Sequence, residues 1–190
     1  MKTGLKLQKR LQTLNTYLNL LRFYLKKKLL GFDIANQFIQ RVDKESLQLI
    51  LRKNGATIGD NCDIEIGLIF HNCNNYSNLI IGNNCHVGKN CFFDLKDKVI
   101  IEDNCVISMQ TTFITHIDMN KTQLSELYPK GQGSIKIDNN VYIGAKSTIL
   151  MNTFIGEKSI VAAGSLINQD ISSKKIVGGV PAKPIKEIKQ

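Results

Sequence analysis

The first 32 residues contain neither aspartate nor glutamate, against Lys2, Lys6, Lys9, Arg10, Arg22, Lys26, Lys27 and Lys28. The formal net charge of +9 over 190 residues is therefore local: removing those eight from 25 basic residues leaves 17 against 16 acids. A near-neutral remainder excludes a nucleic-acid groove along the rest of the chain. No CxxC pair is present, so the five cysteines offer neither a zinc knuckle nor a disulfide framework, and a reducing, cytoplasmic compartment is expected. No apolar run is long enough to span a bilayer, and the N-terminus lacks the short apolar stretch and small-residue cleavage site of a signal peptide.

What the chain does have is a period of six. Ile137, Ile143, Ile149, Ile155, Val161 and Ile167 return at every sixth position, a spacing that belongs to neither a helix nor an ordinary strand. The second place is often glycine (Gly144, Gly156), and the fifth is small or β-branched (Val141, Ser147, Thr153, Ser159, Ser165). Hexads of this kind stack into a parallel β-helix. Upstream they come in triplets: Ile58, Ile64, Phe70; Ile81, Val87, Phe93; Ile101, Ile107, Phe113. Three hexads make one triangular coil, which places Phe70, Phe93 and Phe113 in a vertical stack. After each Phe the next hexad is delayed, to Ile81, Ile101 and Ile137, so all three insertions leave the same corner. Loops grouped on one edge of a rigid scaffold are where binding and chemistry concentrate. Cys62, Cys85, Cys91 and Cys105 occupy the fifth place and are expected to be small buried filler, while Cys73 lies in an insertion.

Residues 1–55 form a helical segment and residues 56–190 the solenoid, with an inserted loop at 117–134 and a tail at 171–190. Leu7, Leu11, Leu14, Leu18, Leu21 and Leu25 alternate steps of four and three, which makes one apolar seam on a long helix with a basic flank. Three destinations are open to it: capping the first coil, pairing with another subunit, or lying on an anionic membrane surface through residues 1–32. Gly31 and Asp33 mark a helix stop and a new start. A second helix is expected to carry Phe38, Val42, Leu47 and Leu51 up to Asn54 and Gly55, with the solenoid beginning at Ile58.

His116 follows the third Phe and opens the longest insertion, Ile117 to Ser134, which holds Tyr128, Pro129, Gly131 and Gly133. Such a loop is placed to close over a ligand, and an imidazole there is able to accept a proton near neutrality. Together, the hexads, Thr112–Asp118 (TFITHID), Asp138–Ala145 (DNNVYIGA) and Val177–Lys183 (VGGVPAK) resemble the hexapeptide-repeat acyltransferases of the maltose and galactoside O-acetyltransferase branch, including relatives that modify bacterial surface polysaccharides. The resemblance runs from Ile58 to about Ile185.

The resemblance implies a left-handed parallel β-helix, an exception to the right-handed crossover rule, assembled as a homotrimer with acetyl-CoA in clefts between subunits and no metal. His116 matches the family's general base for direct transfer to an acceptor hydroxyl, with no cysteine or serine intermediate. Tyr142 stands where the family often has tryptophan. Ala145, and Ala163 with Gly164, match places of close backbone approach to the coenzyme, although repeat packing alone also accounts for small residues there. Lys183 matches a basic place near the nucleotide phosphates, and Gln169 departs from a lysine common in relatives. Asp94, next to Phe93, is a candidate either to bind a sugar hydroxyl or to orient the imidazole, and Tyr128 is a candidate acceptor contact. Asp118 is a weaker one. His71 and His86 occupy other hexad places than His116, which argues against a three-histidine zinc site.

The expected function is acetyl transfer to a hydroxyl of a sugar or saccharide in cell-surface polysaccharide synthesis, in the cytoplasm or at the inner face of the membrane. Two alternatives stay open: a xenobiotic O-acetyltransferase, and a non-catalytic solenoid that docks partners or membrane through its basic helix.

Overall fold

The computed structural model describes residues 2–189, with side chains from Lys6 onward. Three helices, α1 (Lys2–Leu30), α2 (Phe32–Phe38) and α3 (Lys44–Lys53), precede a parallel β-solenoid of about six turns. Gly31, at φ 90, separates α1 from α2 as its sequence position suggests. The single second helix expected through Phe38, Val42 and Leu47 is instead broken. A short 3-10 turn at Ile39–Arg41 ends α2, and Asp43 starts α3 afresh by accepting a hydrogen bond from the Ser46 amide at 2.9 Å. An N-cap carboxylate of this kind satisfies a helical donor that would otherwise be orphaned.

Each complete coil contributes one strand to each of three faces. The first face stacks Thr57–Ile58, Leu79–Ile81, Val99–Ile101, Ile135–Ile137 and Thr153–Ile155 in parallel. The third face stacks Ile69–His71, Phe92–Asp94, Thr112–Ile114, Thr148–Leu150 and Leu166–Ile167. On the second face the parallel stack runs from Asp63–Ile64 to Lys175–Gly178. There Lys183–Glu187 turns back antiparallel and covers the edge of Lys175–Gly178.

The hexad residues point inward and are buried from Ile64 to Val177. Phe70, Phe93 and Phe113 lie in register and stack, with centroids 5.6 and 4.8 Å apart. The column continues out of the solenoid. Tyr76, in the first insertion, meets Phe70 at 5.1 Å, Phe32 of α2 at 5.5 Å and Phe23 of α1 at 6.5 Å. Helices and coils thus share one hydrophobic core. Full burial of each such ring is worth about 1.5–3 kcal/mol.

The first helix packs on α2, α3 and Tyr76 through the face opposite the leucine seam. Thr16, Asn19 and Phe23 are buried, whereas Leu7, Leu11, Leu14, Leu18, Leu21 and Leu25 are 42–60% exposed. Asn19 donates to Asp43 at 3.2 Å and to Ser46 at 3.1 Å, fixing α1 on the start of α3.

The fifth hexad place is small for a polar reason as well as a steric one. The thiols of Cys62, Cys85 and Cys105 donate to carbonyls one coil away at 3.0–3.1 Å. The hydroxyls of Ser147 and Ser165 donate to Gly144 and Ala162 carbonyls at 2.8 and 2.6 Å. Immediately before this place the backbone turns left-handed, at Asn61, Asn84, Asn90, Asn104, Asn140 and Asn152, all with φ between 54 and 60. Asparagine tolerates that conformation better than most residues. Along one corner the amides also form a ladder, Asn61 to Asn84 at 2.9 Å and Asn84 to Asn104 at 3.2 Å.

Candidate active site

All three insertions leave the corner between the third and first faces, at residues 72–78, 95–98 and 115–134. There the phenylalanine column brings together three groups from three successive coils. Asp94 ends the strand after Phe93, Thr115 and His116 follow the strand of Phe113, and Asn72 follows the strand of Phe70.

Asp94 is 1% exposed, and its carboxylate is enclosed by donors. Oδ2 accepts from the Thr115 amide at 2.9 Å and the Thr115 hydroxyl at 3.1 Å, and lies 2.5 Å from Nδ1 of His116. Oδ1 accepts from the Asn72 side-chain amide at 2.8 Å. Burial alone would raise the carboxyl pKa. Hydrogen bonds from His116, Asn72 and Thr115 outweigh it and hold the group below the ordinary carboxylate range. An ionised, buried acid therefore sits against one nitrogen of a partly exposed imidazole, whose side chain is 30% accessible.

The imidazole opens onto space. His116 and Ile117 pair antiparallel with Gln132 and Gly131, so the insertion leaves the corner as a hairpin. A cavity of about 280 Å³ lies at its base, lined by Lys96, His116, Ile117, Asp118, Lys130, Gly131 and Gln132. A larger groove of about 650 Å³ runs from Asn72 and Lys96 towards α2. Amides dominate its wall: Asn36, Gln37, Gln40, Asn72 and Asn74, with Asp33 and His71 beside them. Lys96 lines both spaces. Cys73 also faces the groove, but burial pushes its thiol pKa up to about 11, so at neutral pH it is not a thiolate nucleophile.

Of the residues singled out in the sequence, Asp94 and His116 meet, and Asp118 lines the cavity beside them. Tyr128 sits out on the insertion, 60% exposed, following a short 3-10 turn at Gln123–Glu126, and does not line the His116 cavity. Ala145, Ala163 and Gly164 lie at a different corner, between the second and third faces, and Lys183 is on the antiparallel strand of the second face. Tyr142 points outward from the second face, 44% exposed, its hydroxyl accepting from Ser108 at 3.2 Å. Within one chain these five residues do not join the His116 cavity.

The three histidines have separate partners: His116 has Asp94, His86 has Asp63 at 2.9 Å, and His71 stacks on Phe92 at 6.1 Å. Among the described residues no cluster of three His, Cys, Asp or Glu side chains is arranged to hold a metal ion.

Two site residues escaped the sequence reading. Asn72 lies in an insertion, where the six-residue period gives no address, and its only local signal is an asparagine suited to the left-handed φ of 53 it adopts. Thr115 is fully buried, and its proximity to Asp94 is legible only once the coils are stacked.

The chain is similar to known proteins over most of its length. A family signature described as the hexapeptide repeat of succinyl-transferase matches residues 78–109 and 134–169. Galactoside O-acetyltransferase of Escherichia coli (strain K12) is 28% identical over 176 residues, covering 86% of this chain and 78% of the relative. The structure of a galactoside acetyltransferase in complex with coenzyme A superposes with a TM-score of 0.73 at 26% identity, covering 90% of this chain and 82% of that one. A maltose O-acetyltransferase from Clostridium difficile 630 superposes with a TM-score of 0.71 over 82% of this chain and 83% of its own; at 23% identity it speaks for the fold alone.

Proposed function

Because the chain belongs with the hexapeptide-repeat acetyltransferases related to galactoside and maltose O-acetyltransferases, we propose that it transfers an acetyl group from acetyl-CoA to a hydroxyl of a saccharide, with His116 as general base. The observation that carries this reading is the 2.5 Å contact between buried, ionised Asp94 and Nδ1 of His116 at the corner where the insertion opens a cavity.

Asp94 holds the proton on Nδ1, which leaves the lone pair on Nε2. A neutral alcohol is a weak nucleophile and its alkoxide is scarce at neutral pH. His116 takes the hydroxyl proton at Nε2 as the oxygen attacks the thioester carbonyl carbon, then returns it to the sulfur as the carbon–sulfur bond breaks. The products are an O-acetyl ester and a free thiol, and the imidazole ends neutral as it began. Assistance of this type is worth on the order of 10²–10⁴-fold. The transfer is direct and calls for no metal. Asp94 is a positioning residue: its oxygens already serve Thr115, Asn72 and His116, which disfavours a role in gripping the acceptor.

The amide-rich groove beside Asn72 suits the acceptor, since side-chain amides both donate to and accept from sugar hydroxyls. The donor is held in the cleft between neighbouring copies of a homotrimer. Support comes from the separation of Tyr142, Ala145, Ala163, Gly164 and Lys183 from His116 within one chain, an arrangement that needs a second copy to bring both halves together. In this organisation residues 1–55 cap the solenoid and residues 56–190 carry the chemistry. Work on cell-surface polysaccharide precursors, in the cytoplasm or at the inner membrane face, is the physiological role we assign.

The test is a screen of mono- and oligosaccharides with acetyl-CoA, following thiol release and identifying the product. Acceptor-dependent release with an O-acetyl ester as product is expected. Release that never depends on an added hydroxyl acceptor, or acetylation of amines alone, would overturn the proposal.

A further inference from the structure

The leucine seam of α1 plays no part in the core, yet it is the most regular apolar feature outside the solenoid. Phe23 and Asn19 fasten the helix to the body, which turns Leu7, Leu11, Leu14, Leu18, Leu21 and Leu25 to solvent, each at least 42% exposed. On a helix of 3.6 residues per turn these six occupy a stripe roughly 80° wide. Tyr17 and Tyr24, 61% and 41% exposed, widen it on one side. Arg10 and Lys28 border the tyrosine side and Arg22 the other, all exposed. A contiguous apolar stripe rimmed by charge marks an interaction surface.

We infer that this face docks α1 flat on an anionic lipid surface. Charge selects that occupant. The helix carries eight cations and no anion, so pairing with the same helix of a second copy would set cation against cation along both borders with no acid to relieve it. A negatively charged bilayer instead complements Arg10, Arg22 and Lys28, the exposed cations along those borders. The leucines enter the headgroup boundary, the tyrosines sit at the level their amphipathic rings favour, and the basic stems reach outward to phosphates. Among the described residues no helix is long and apolar enough to cross a membrane, so α1 lies on the surface and does not span it.

The test is flotation of the full chain with vesicles of phosphatidylcholine alone, and with vesicles of equal parts phosphatidylcholine and phosphatidylglycerol. Flotation is expected with the anionic vesicles only and should weaken in high salt. The double variant Leu14→Glu/Leu18→Glu alters exposed positions, so its helix content and thermal midpoint should match the native chain, while its partitioning falls about tenfold or more. Light scattering on the same variant provides the control. Failure of the native chain to float, equal flotation of the variant, or a drop in its oligomeric mass would each overturn the inference, the last by assigning the stripe to a second copy.

Discussion

The two corners that flank the third face are built from the same hexads and behave as opposites. Between the second and third faces the chain turns tightly: the Gly144 amide bonds the Val161 carbonyl, and a Cβ on Gly144 would meet the Ala163 backbone nitrogen at 2.4 Å. Between the third and first faces the hexad is interrupted in each coil that contributes Phe70, Phe93 or Phe113, and there an ionised acid, an imidazole and an amide converge. A tight corner stacks backbone on backbone, and at Gly144 it leaves no room even for a Cβ between the coils. An interrupted corner releases residues from the repeat while the column beneath fixes their heights. The difference teaches that this scaffold places chemistry where its period fails.

The comparison sharpens most at Asp94. Replacement by asparagine removes the charge that fixes the Nδ1 proton, and kcat/KM should fall by about a thousandfold. In a His116→Ala background the same change should cost almost nothing further, because the two act as a unit. Additive losses would show Asp94 acting independently of the imidazole.

At the tight corner the expected effect is on stability. Gly144→Val must push two coils apart and should cost about 2–3 kcal/mol in denaturant unfolding. Shortening the other corner, by replacing residues 119–130 with a two-residue link, should change stability by less than about 1 kcal/mol, since loop entropy varies slowly with length. If the shortened chain unfolded while Gly144→Val did not, the contrast between the corners would be reversed.

The smallest effect is a pH dependence. Asp94 is held below its ordinary pKa in the folded state. Its stabilising contribution is therefore present above the unfolded value, about pH 4, and is lost as pH falls through the folded value. Thermal midpoints taken into acid should fall faster for the native chain than for Asp94→Asn. Parallel curves would mean that the carboxylate gains nothing from its donors.

Much of this was legible before the fold was seen, because a six-residue period leaves a stacked coil as its only economical packing. The positions of Ile58, Ile81 and Ile101, the stack of Phe70, Phe93 and Phe113, and the common corner of the insertions follow from counting. The leucine seam shows where counting ends. A four-three alternation fixes which residues share a helix face, but not whether that face turns inward, and Phe23 with Asn19 decided the matter from the opposite side. The break at Asp43 was hidden because its capping partner Ser46 looks like any polar residue in an amphipathic pattern. Asn72 and Thr115 were hidden for a different reason: their meaning depends on the height of neighbouring coils, which no local spacing records. The left-handed residues before the fifth place were only half visible, since Lys146, Lys158 and Lys174 share the conformation of the asparagines without their chemical signature.

The most direct measurement is kcat/KM for acetyl transfer by His116→Ala, alongside its oligomeric mass and thermal midpoint. A loss on the order of 10²–10⁴-fold with mass and midpoint retained is what a proton acceptor held at the interrupted corner requires. Native-level turnover in the folded variant would contradict the account, because among the described residues of that cavity His116 is the group held by a buried carboxylate to take the acceptor's proton.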